Sequence, residues 1–240
     1  MSETFKIKID GAEVEARPGQ TILQAADAAG IYIPRLCAHK DLHPYGSCRV
    51  CTVRVNGRPQ AACTMPCAPG MVIEANSPEL LEHRRRLIEM LFVEGNHFCM
   101  FCEKSGHCEL QALAYRFGIT APRFPYLFPT RDVDASHPDV WLDRNRCVLC
   151  ARCVRASRDV DGKHVFGFVR RGAKKTLAVN ARHGLGETNI AATDRAVEVC
   201  PVGCLLPKRR GYLTPIGQRP YDRVPIGAEI ERHATPPQPT

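Results

Sequence analysis

An α+β fold divided into small modules is predicted by three observations on this 240-residue sequence. The N-terminal third mixes strand alternation with one short helix. The thirteen cysteines fall into separate groups instead of being spread evenly. Proline-rich stretches between 120 and 140, and again from 211, punctuate the chain. A sequence of this length has material for two or three cores, each modest.

The cysteines set the compartment and the chemistry. Their number is odd, they favour C-x-x-C units, and the N-terminal MSETFKIKID has no apolar h-region. These features exclude a secreted disulfide framework and point to metal binding in a reducing compartment. No apolar run is long enough to span a membrane, so a cytoplasmic protein with no membrane partner is expected. The formal charge of +8, from 33 Lys and Arg against 25 Asp and Glu, raises the question of nucleic acid. The arginines are spread along the chain, tightest at Arg84, Arg85 and Arg86 where a helix opens, and no aromatic-basic recognition motif accompanies them. Thiolate-ligated clusters would themselves offset about 5 of these charges. No nucleic-acid partner is expected.

In chain order, TFKIKI alternates from residue 4, Asp10-Gly11 turns, and Glu13 to Ala16 alternate again, predicting a hairpin. Thr21 caps a helix through TILQAADAAG that Gly30 ends, and CTVRVNG reads as a further strand. A hairpin, a helix, a cysteine-bearing loop and a strand in that order are compatible with a β-grasp. Within it Cys37, Cys48, Cys51 and Cys63 form C-x10-C-x2-C-x11-C, around a turn-rich HPYGSC that can bend closely and aim N–H groups at sulfur. Four thiolates held mostly by one loop suit a [2Fe-2S] rhomb. Cys67 could close the same loop. His39 and His43 read as loop residues.

Residues 79–95 carry Leu80, Leu81, Leu87, Ile88, Leu91 and Phe92 at helical spacing, with Ser77 as N-cap, Pro78 in the first turn and Gly95 at the end. The segment that follows has Cys99, Cys102 and Cys108 as C-x2-C-x5-C, three thiolates for a cluster that needs four ligands. His97 and His107 are the histidines at hand. Residues 121–140, with four prolines, read as a connector whose Phe124, Tyr126, Leu127 and Phe128 pack over a neighbouring domain.

Cys147, Cys150 and Cys153 then fall at three-residue intervals, and Cys200-Pro201 stands far downstream. Three thiolates on a short loop closed by a distant Cys-Pro are the ligand pattern of a [4Fe-4S] cluster. Structural zinc sites usually present two separated pairs instead. Cys204 is a rival to Cys200, and the Cys-Pro context favours Cys200. A helix continues from the triplet through Val154, Ala156 and Val160, GFVRRGAKKTLAVN is β-rich, and DRAVEVCPVGCLLPK reads as a second helix. From Gly211 the proline-rich tail cannot bury a core alone; Tyr212, Leu213, Ile216, Tyr221 and Ile226 suit an arm docked on a partner as well as a disordered end.

The stretches RLCAHKDLHPYGSCRVC, AACTMPCAPGM and CELQ, with the later CVLCARC and CP, resemble the N-terminal iron–sulfur modules of the large iron–sulfur subunit of respiratory complex I and of iron-only hydrogenases. The resemblance spans residues 4 to about 207. It implies a β-grasp [2Fe-2S] ferredoxin domain over 1–78, a small helical His/Cys [4Fe-4S] module over 79–120, a connector at 121–140, a ferredoxin-like [4Fe-4S] domain over 141–210 and an extended tail at 211–240. It assigns Cys63, in its ACT context, to the first cluster and leaves Cys67 a packed thiol. It gives the second cluster one histidine and three cysteines. The family histidine precedes the first cysteine with three residues between, where this sequence has Gly95, so His97 would take that role along a different backbone path, with His107, a non-protein ligand or Cys67 as the alternatives.

In those families a long catalytic domain follows; here the sequence stops, as in the diaphorase small subunits of soluble NAD-reducing nickel–iron hydrogenases. That resemblance implies a heterotetramer in which a flavoprotein diaphorase large subunit carries FMN and NAD and a small and a large hydrogenase subunit carry the nickel–iron site. This chain would relay electrons between them through one [2Fe-2S] and two [4Fe-4S] clusters, with no catalytic residue of its own; it has no dinucleotide Gly motif and no P-loop. The corresponding subunit of an NAD-dependent formate dehydrogenase or of an NADP-reducing iron-only hydrogenase is the alternative, and a non-redox zinc scaffold is the alternative from another class.

Overall fold

A computed structural model describes residues 4–231. Strands β1 (Phe5–Ile9) and β2 (Ala12–Ala16) form the expected hairpin. Asp10 and Gly11 both have positive φ, 47° and 85°, as a two-residue turn between twisted strands requires. Helix α1 (Ile22–Ala28) starts with a reciprocal capping box: the Gln24 amide donates to the Thr21 hydroxyl while the Thr21 amide donates to the Gln24 side chain, satisfying two otherwise orphan donors. Strands β3 (Thr52–Val55), β4 (Arg58–Ala61) and β5 (Val72–Glu74) complete a five-stranded sheet in the order β2-β1-β5-β3-β4, with only β1 and β5 parallel. Ile7, Ile9, Val14, Ile22, Leu23, Val53 and Ile73 fill the space between sheet and α1; fully burying each such side chain contributes about 1.5–3 kcal/mol.

Helix α2 (Pro78–Val93) leaves this sheet. Its buried face is Leu80, Arg84, Ile88, Glu89 and Val93, whereas Leu81 is exposed. The apolar spacing thus found the helix and misjudged its face. Ser77 stands at the N-cap, but its hydroxyl makes no capping bond and is buried without a partner. Helix α3 (Glu109–Arg116) follows Cys108 and is docked by the Glu109 amide on the Pro201 carbonyl, 2.9 Å away.

The stretch read as a connector is structured from Val133. Strands β6 (Val133–Asp134) and β7 (Val140–Asp143) pair with each other, so the third module begins inside residues 121–140. Of the four residues expected to pack over a neighbour, Phe124 is half-buried while Tyr126, Leu127 and Phe128 are exposed, though the Leu127 amide donates to the Val93 carbonyl; Tyr126 and Phe128 stack on each other at 5.4 Å. Helix α4 (Arg152–Asp159) leads into a hairpin of β8 (Phe166–Val169) and β9 (Thr176–Val179). The helix expected over 194–208 is only the single turn α5 (Arg195–Glu198); Pro201 breaks it, and Leu205–Pro207 form β10 against β7.

Beyond Gly211 the chain folds back on its own body over the described residues. The Tyr221 amide donates to the Gly106 carbonyl, Ile226 is buried, and α6 (Ala228–Glu231) is held by an ion pair between Arg116 and Glu231. The tail is therefore neither extended nor free up to residue 231, and the expectation for 232–240 lies outside the described residues. One continuous core joins Leu36, Leu42 and Val50 of the first module to Ile88, Leu110, Leu113, Leu142, Ala156 and Leu205 of the others.

Candidate metal centres

All thirteen cysteines are free thiols. Among the described residues no group of three or more His, Cys, Asp or Glu is arranged to hold a single metal ion. A cluster asks for something else, sulfurs distributed around an inorganic core.

The first site lies in the loop between α1 and β3 and at the end of β4. Cys37, Cys51 and Cys63 are buried, and Cys48 is half-buried. The Cys37 amide donates to Cys48 Sγ at 3.3 Å. Hydrogen bonds join Cys37 to Cys48 and Cys63, and Cys63 to Cys51. They hold the Cys37 thiol far below its ordinary range and bring Cys51 to about 7, while Cys48 and Cys63 rise in return. Arg49 between the paired cysteines has φ 58°, a left-handed residue that curls the loop around its own amides. The structure brings all four expected residues together. Cys67 packs in the same sheet core as Cys51 and Cys63, with its amide on the Gln20 carbonyl, and burial raises its thiol.

In the second site, Cys99 and Cys102 flank a single 3-10 turn and Cys108 stands at the N-cap of α3. Burial raises Cys99 and pushes Cys108 up to about 12. His97 Nε2 is buried without a hydrogen-bond partner. Burial lowers the imidazole to about 4, with the Leu91 carbonyl opposing and the Arg146 and Arg131 cations assisting. The ring is neutral near pH 7 and presents an unshared nitrogen, the state in which imidazole ligates metal. A Cβ on Gly95 would stand 2.6 Å from that nitrogen, so glycine at the family's histidine position is what makes room for His97. His107 is exposed.

The third site is the most enclosed. Cys147, Cys150, Cys153, Cys200 and Cys204 line one cavity together with Leu149, Phe168, Leu177, Val202 and Leu205. Leu149 and Ala151 have φ 52° and 60°, so this loop also curls through left-handed residues. Burial pushes Cys150 up to about 12 and also raises Cys153 well above its ordinary range. Cys204 shares hydrogen bonds with Cys147 and Cys200; the latter falls to about 6 and Cys204 rises. Cys204 thus lies inside the same cavity as the four expected residues, closer to them than its place after the Cys-Pro pair suggested.

Arginines of the third module touch both other sites. Arg155, two residues after Cys153, donates to the Cys37 carbonyl at 2.6 Å and also to that of His43. Arg152 reaches the Ala38 carbonyl at 2.8 Å. On the other side, Arg146 Nη1 is 3.5 Å from Cys102 Sγ, and a Cβ on Gly203 would be 2.6 Å from that sulfur. These arginines escaped sequence reasoning. The available signal was weak: Arg84 falls in the apolar i, i+4 row between Leu80 and Ile88, and Arg146 and Arg155 sit beside cysteines of the triplet. The donor sets, the unpaired His97 nitrogen and the curled thiol loops fit iron–sulfur clusters.

Three family models match successive stretches of the chain. A 2Fe-2S iron-sulfur cluster binding domain matches residues 2–78, an NADH-ubiquinone oxidoreductase-G iron-sulfur binding region matches 84–123, and an NADH-quinone oxidoreductase subunit 3 ferredoxin-like domain matches 137–206. The chain is 43% identical over 220 residues to the gamma chain of the NAD-reducing hydrogenase HoxS of Cupriavidus necator, covering 91% of this chain and 94% of that protein. It is 35% identical over 207 residues to the mitochondrial NADH-ubiquinone oxidoreductase 78 kDa subunit of Candida albicans, covering 85% of this chain but only 28% of that longer protein. A chain in the crystal structure of an NAD+-reducing [NiFe]-hydrogenase in the H2-reduced state superposes with a TM-score of 0.91 at 49% identity, covering 95% of this chain and 98% of that one.

Proposed function

Because the chain belongs to the family of gamma chains of NAD-reducing hydrogenases, whose iron–sulfur modules recur in the 78 kDa component of NADH-ubiquinone oxidoreductase, we propose that it is the electron-relay subunit of such a hydrogenase. It holds one [2Fe-2S] and two [4Fe-4S] clusters and has no catalytic residue. Bound clusters supply one-electron carriers, through which the chain passes single electrons between a flavoprotein diaphorase subunit, carrying FMN and NAD, and the nickel–iron hydrogenase pair. The formate dehydrogenase and iron-only hydrogenase alternatives have no support comparable to near-complete coverage of a hydrogenase subunit.

We assign Cys37, Cys48, Cys51 and Cys63 to the [2Fe-2S] cluster. His97, Cys99, Cys102 and Cys108 are assigned to one [4Fe-4S] cluster, and Cys147, Cys150, Cys153 and Cys200 to the other. The sheet order β2-β1-β5-β3-β4 clasping α1 supports reading the first module as a β-grasp. The third module, between the other two, acts as the junction of the relay. The observation that carries this reading is that arginines beside the third thiol group reach both other groups: Arg155 the Cys37 carbonyl and Arg146 the Cys102 sulfur. Apolar walls exclude water around the third site, and left-handed residues turn the loop amides toward sulfur. Phe98, Met100 and Phe101 on the Cys99 loop are exposed, as are Tyr212 and Leu213, with the Tyr212 hydroxyl on the Phe101 carbonyl at 2.6 Å. This apolar rim around the terminal second site is the face we assign to the hydrogenase pair. No helix among the described residues is long and apolar enough to cross a membrane, and thirteen free thiols suit a cytoplasmic setting.

Iron and acid-labile sulfide analysis with EPR of the reduced protein, on material purified without oxygen, tests the reading. About ten irons, with one [2Fe-2S] and two [4Fe-4S] signals, are expected. About six irons, or a missing cubane signal, would remove a centre from the relay.

A further inference from the structure

Three arginines are buried among the described residues: Arg84 with no exposed surface, Arg152 at 2% and Arg155 at 4%. Arg152 has a carboxylate partner, Glu109, at 2.5 and 2.7 Å. The other two have none. Arg84, on α2, donates Nε to the Val50 carbonyl at 3.1 Å and Nη2 to the Thr52 carbonyl at 2.9 Å, and its Nη1 has no partner. Val50 and Thr52 flank Cys51 on either side. Arg155, on α4, donates to the carbonyls of Ala151, His43 and Cys37. Neither makes an ion pair among the described residues. Cys51 and, after it, Asp10 add to the field at Arg84, but the Asp10 carboxylate is exposed and accepts from the Ala75 and Asn76 amides.

Carbonyl oxygens satisfy hydrogen bonds without neutralising a charge. A buried guanidinium left without an opposite charge is strongly destabilising, and here two such groups converge on the backbone of one thiol loop. A [2Fe-2S] cluster with four thiolates carries about two negative charges when oxidised and about three when reduced. We propose that Arg84 and Arg155 are the built-in counter-charges of the first centre: they are fully matched only when the cluster is in place, and they favour its one-electron-reduced form. The inference rests on the assignment of Cys37, Cys48, Cys51 and Cys63 to that cluster. Because Arg84 belongs to the helix that delivers the second module and Arg155 to the helix of the third, occupancy of the first site also decides how firmly the other modules are held.

Substitutions of each arginine by Met and by Lys, in protein carrying its clusters, test this by EPR redox titration and by thermal unfolding of loaded and cluster-stripped protein. Arg84→Met should move the midpoint potential of the [2Fe-2S] signal downward and leave both four-iron signals in place. Arg155→Met, which also neighbours Cys150, should lower the first and third centres. Lysine at either position should restore the potential. The Met variants should unfold earlier than the unaltered protein when loaded, yet at the same or a higher temperature when stripped, a change of sign that mere packing would not produce. An unchanged potential with the cluster present, or equal loss of stability in both states, overturns the proposal. Should Arg84→Met fail to retain the cluster, retention by Arg84→Lys supports the counter-charge, and failure of both overturns it. Absence of a two-iron signal in the unaltered protein overturns the site assignment itself.

Discussion

Gly95→Ala tests the second site through packing alone, without touching a ligand. The added Cβ would lie 2.6 Å from His97 Nε2 and 2.9 Å from the Asn145 carbonyl oxygen, against an ordinary non-bonded separation of about 3.5 Å or more. Neither neighbour yields readily. The Asn145 carbonyl accepts the Asn96 amide at 2.9 Å, and the imidazole is set edge-on against Phe92 at 5.5 Å. Forcing one methyl into such a gap costs about 1–3 kcal/mol, most of which falls on the imidazole because it is the side chain of the two. That corresponds to about 5- to 150-fold weaker retention of the second cluster. Iron content should fall from about ten toward about six under mild chelation, with the [2Fe-2S] signal and the third-site signal untouched. Full retention of the second cluster, with an unaltered spectrum, would show that His97 Nε2 is not where a ligand must be.

Protonation of His97 gives a pH dependence with a definite sign. The folded imidazole, at about 4, lies below the ordinary histidine value of 6.5, so the unfolded chain binds a proton that the folded chain refuses. Cluster-stripped protein should lose stability as pH falls through that window, by on the order of 3 kcal/mol; His97→Gln should flatten the profile in denaturant titrations, and an unchanged slope would refute the burial argument. Cys204→Ala and Cys67→Ser should each keep about ten irons. Loss of four irons in the first would transfer the ligand role from Cys200 to Cys204, and loss of two in the second would do the same for Cys67 and Cys63. Phe101→Asp should weaken co-purification of the hydrogenase pair by tenfold or more, an interface cost of about 1.4 kcal/mol or above, while the flavoprotein subunit stays bound. Equal loss of both partners would put the apolar rim elsewhere in the assembly.

The parts of this molecule legible in its sequence are those governed by short-range rules. Asp10-Gly11 specifies a hairpin turn, Thr21 and Gln24 cap a helix locally, and cysteine spacings mark ligand loops whatever surrounds them. Misreadings came from long-range packing. The buried row of α2 contains Arg84 and Glu89 because their partners lie far along the chain, Val50 and Thr52 for one and Arg123 for the other. Hydrophobic periodicity carries no trace of such partners. The segment 199–208 has helical composition, but Pro201 interrupts it and β7 offers Leu205–Pro207 a strand edge. Tyr126 to Phe128 and the residues beyond Gly211 exchanged roles: the first group is exposed, and much of the second packs on the chain itself. Composition alone makes both look like segments awaiting a surface.

The central position of the third site has a consequence for how the protein is made. Its last ligand, Cys200, is translated roughly 140 residues after the first site is complete at Cys63, an interval of about 7–27 s at ordinary ribosomal rates. For about the first two-thirds of that time the chain has not yet reached Arg155, and the Leu36, Leu42 and Val50 surface that later joins the common core is open to water. The nascent chain is therefore most exposed to aggregation and to oxidation of its thiols while the middle of the finished relay is still unwritten. A dedicated holding factor, or an iron–sulfur donor that waits for the complete polypeptide, would act in that window.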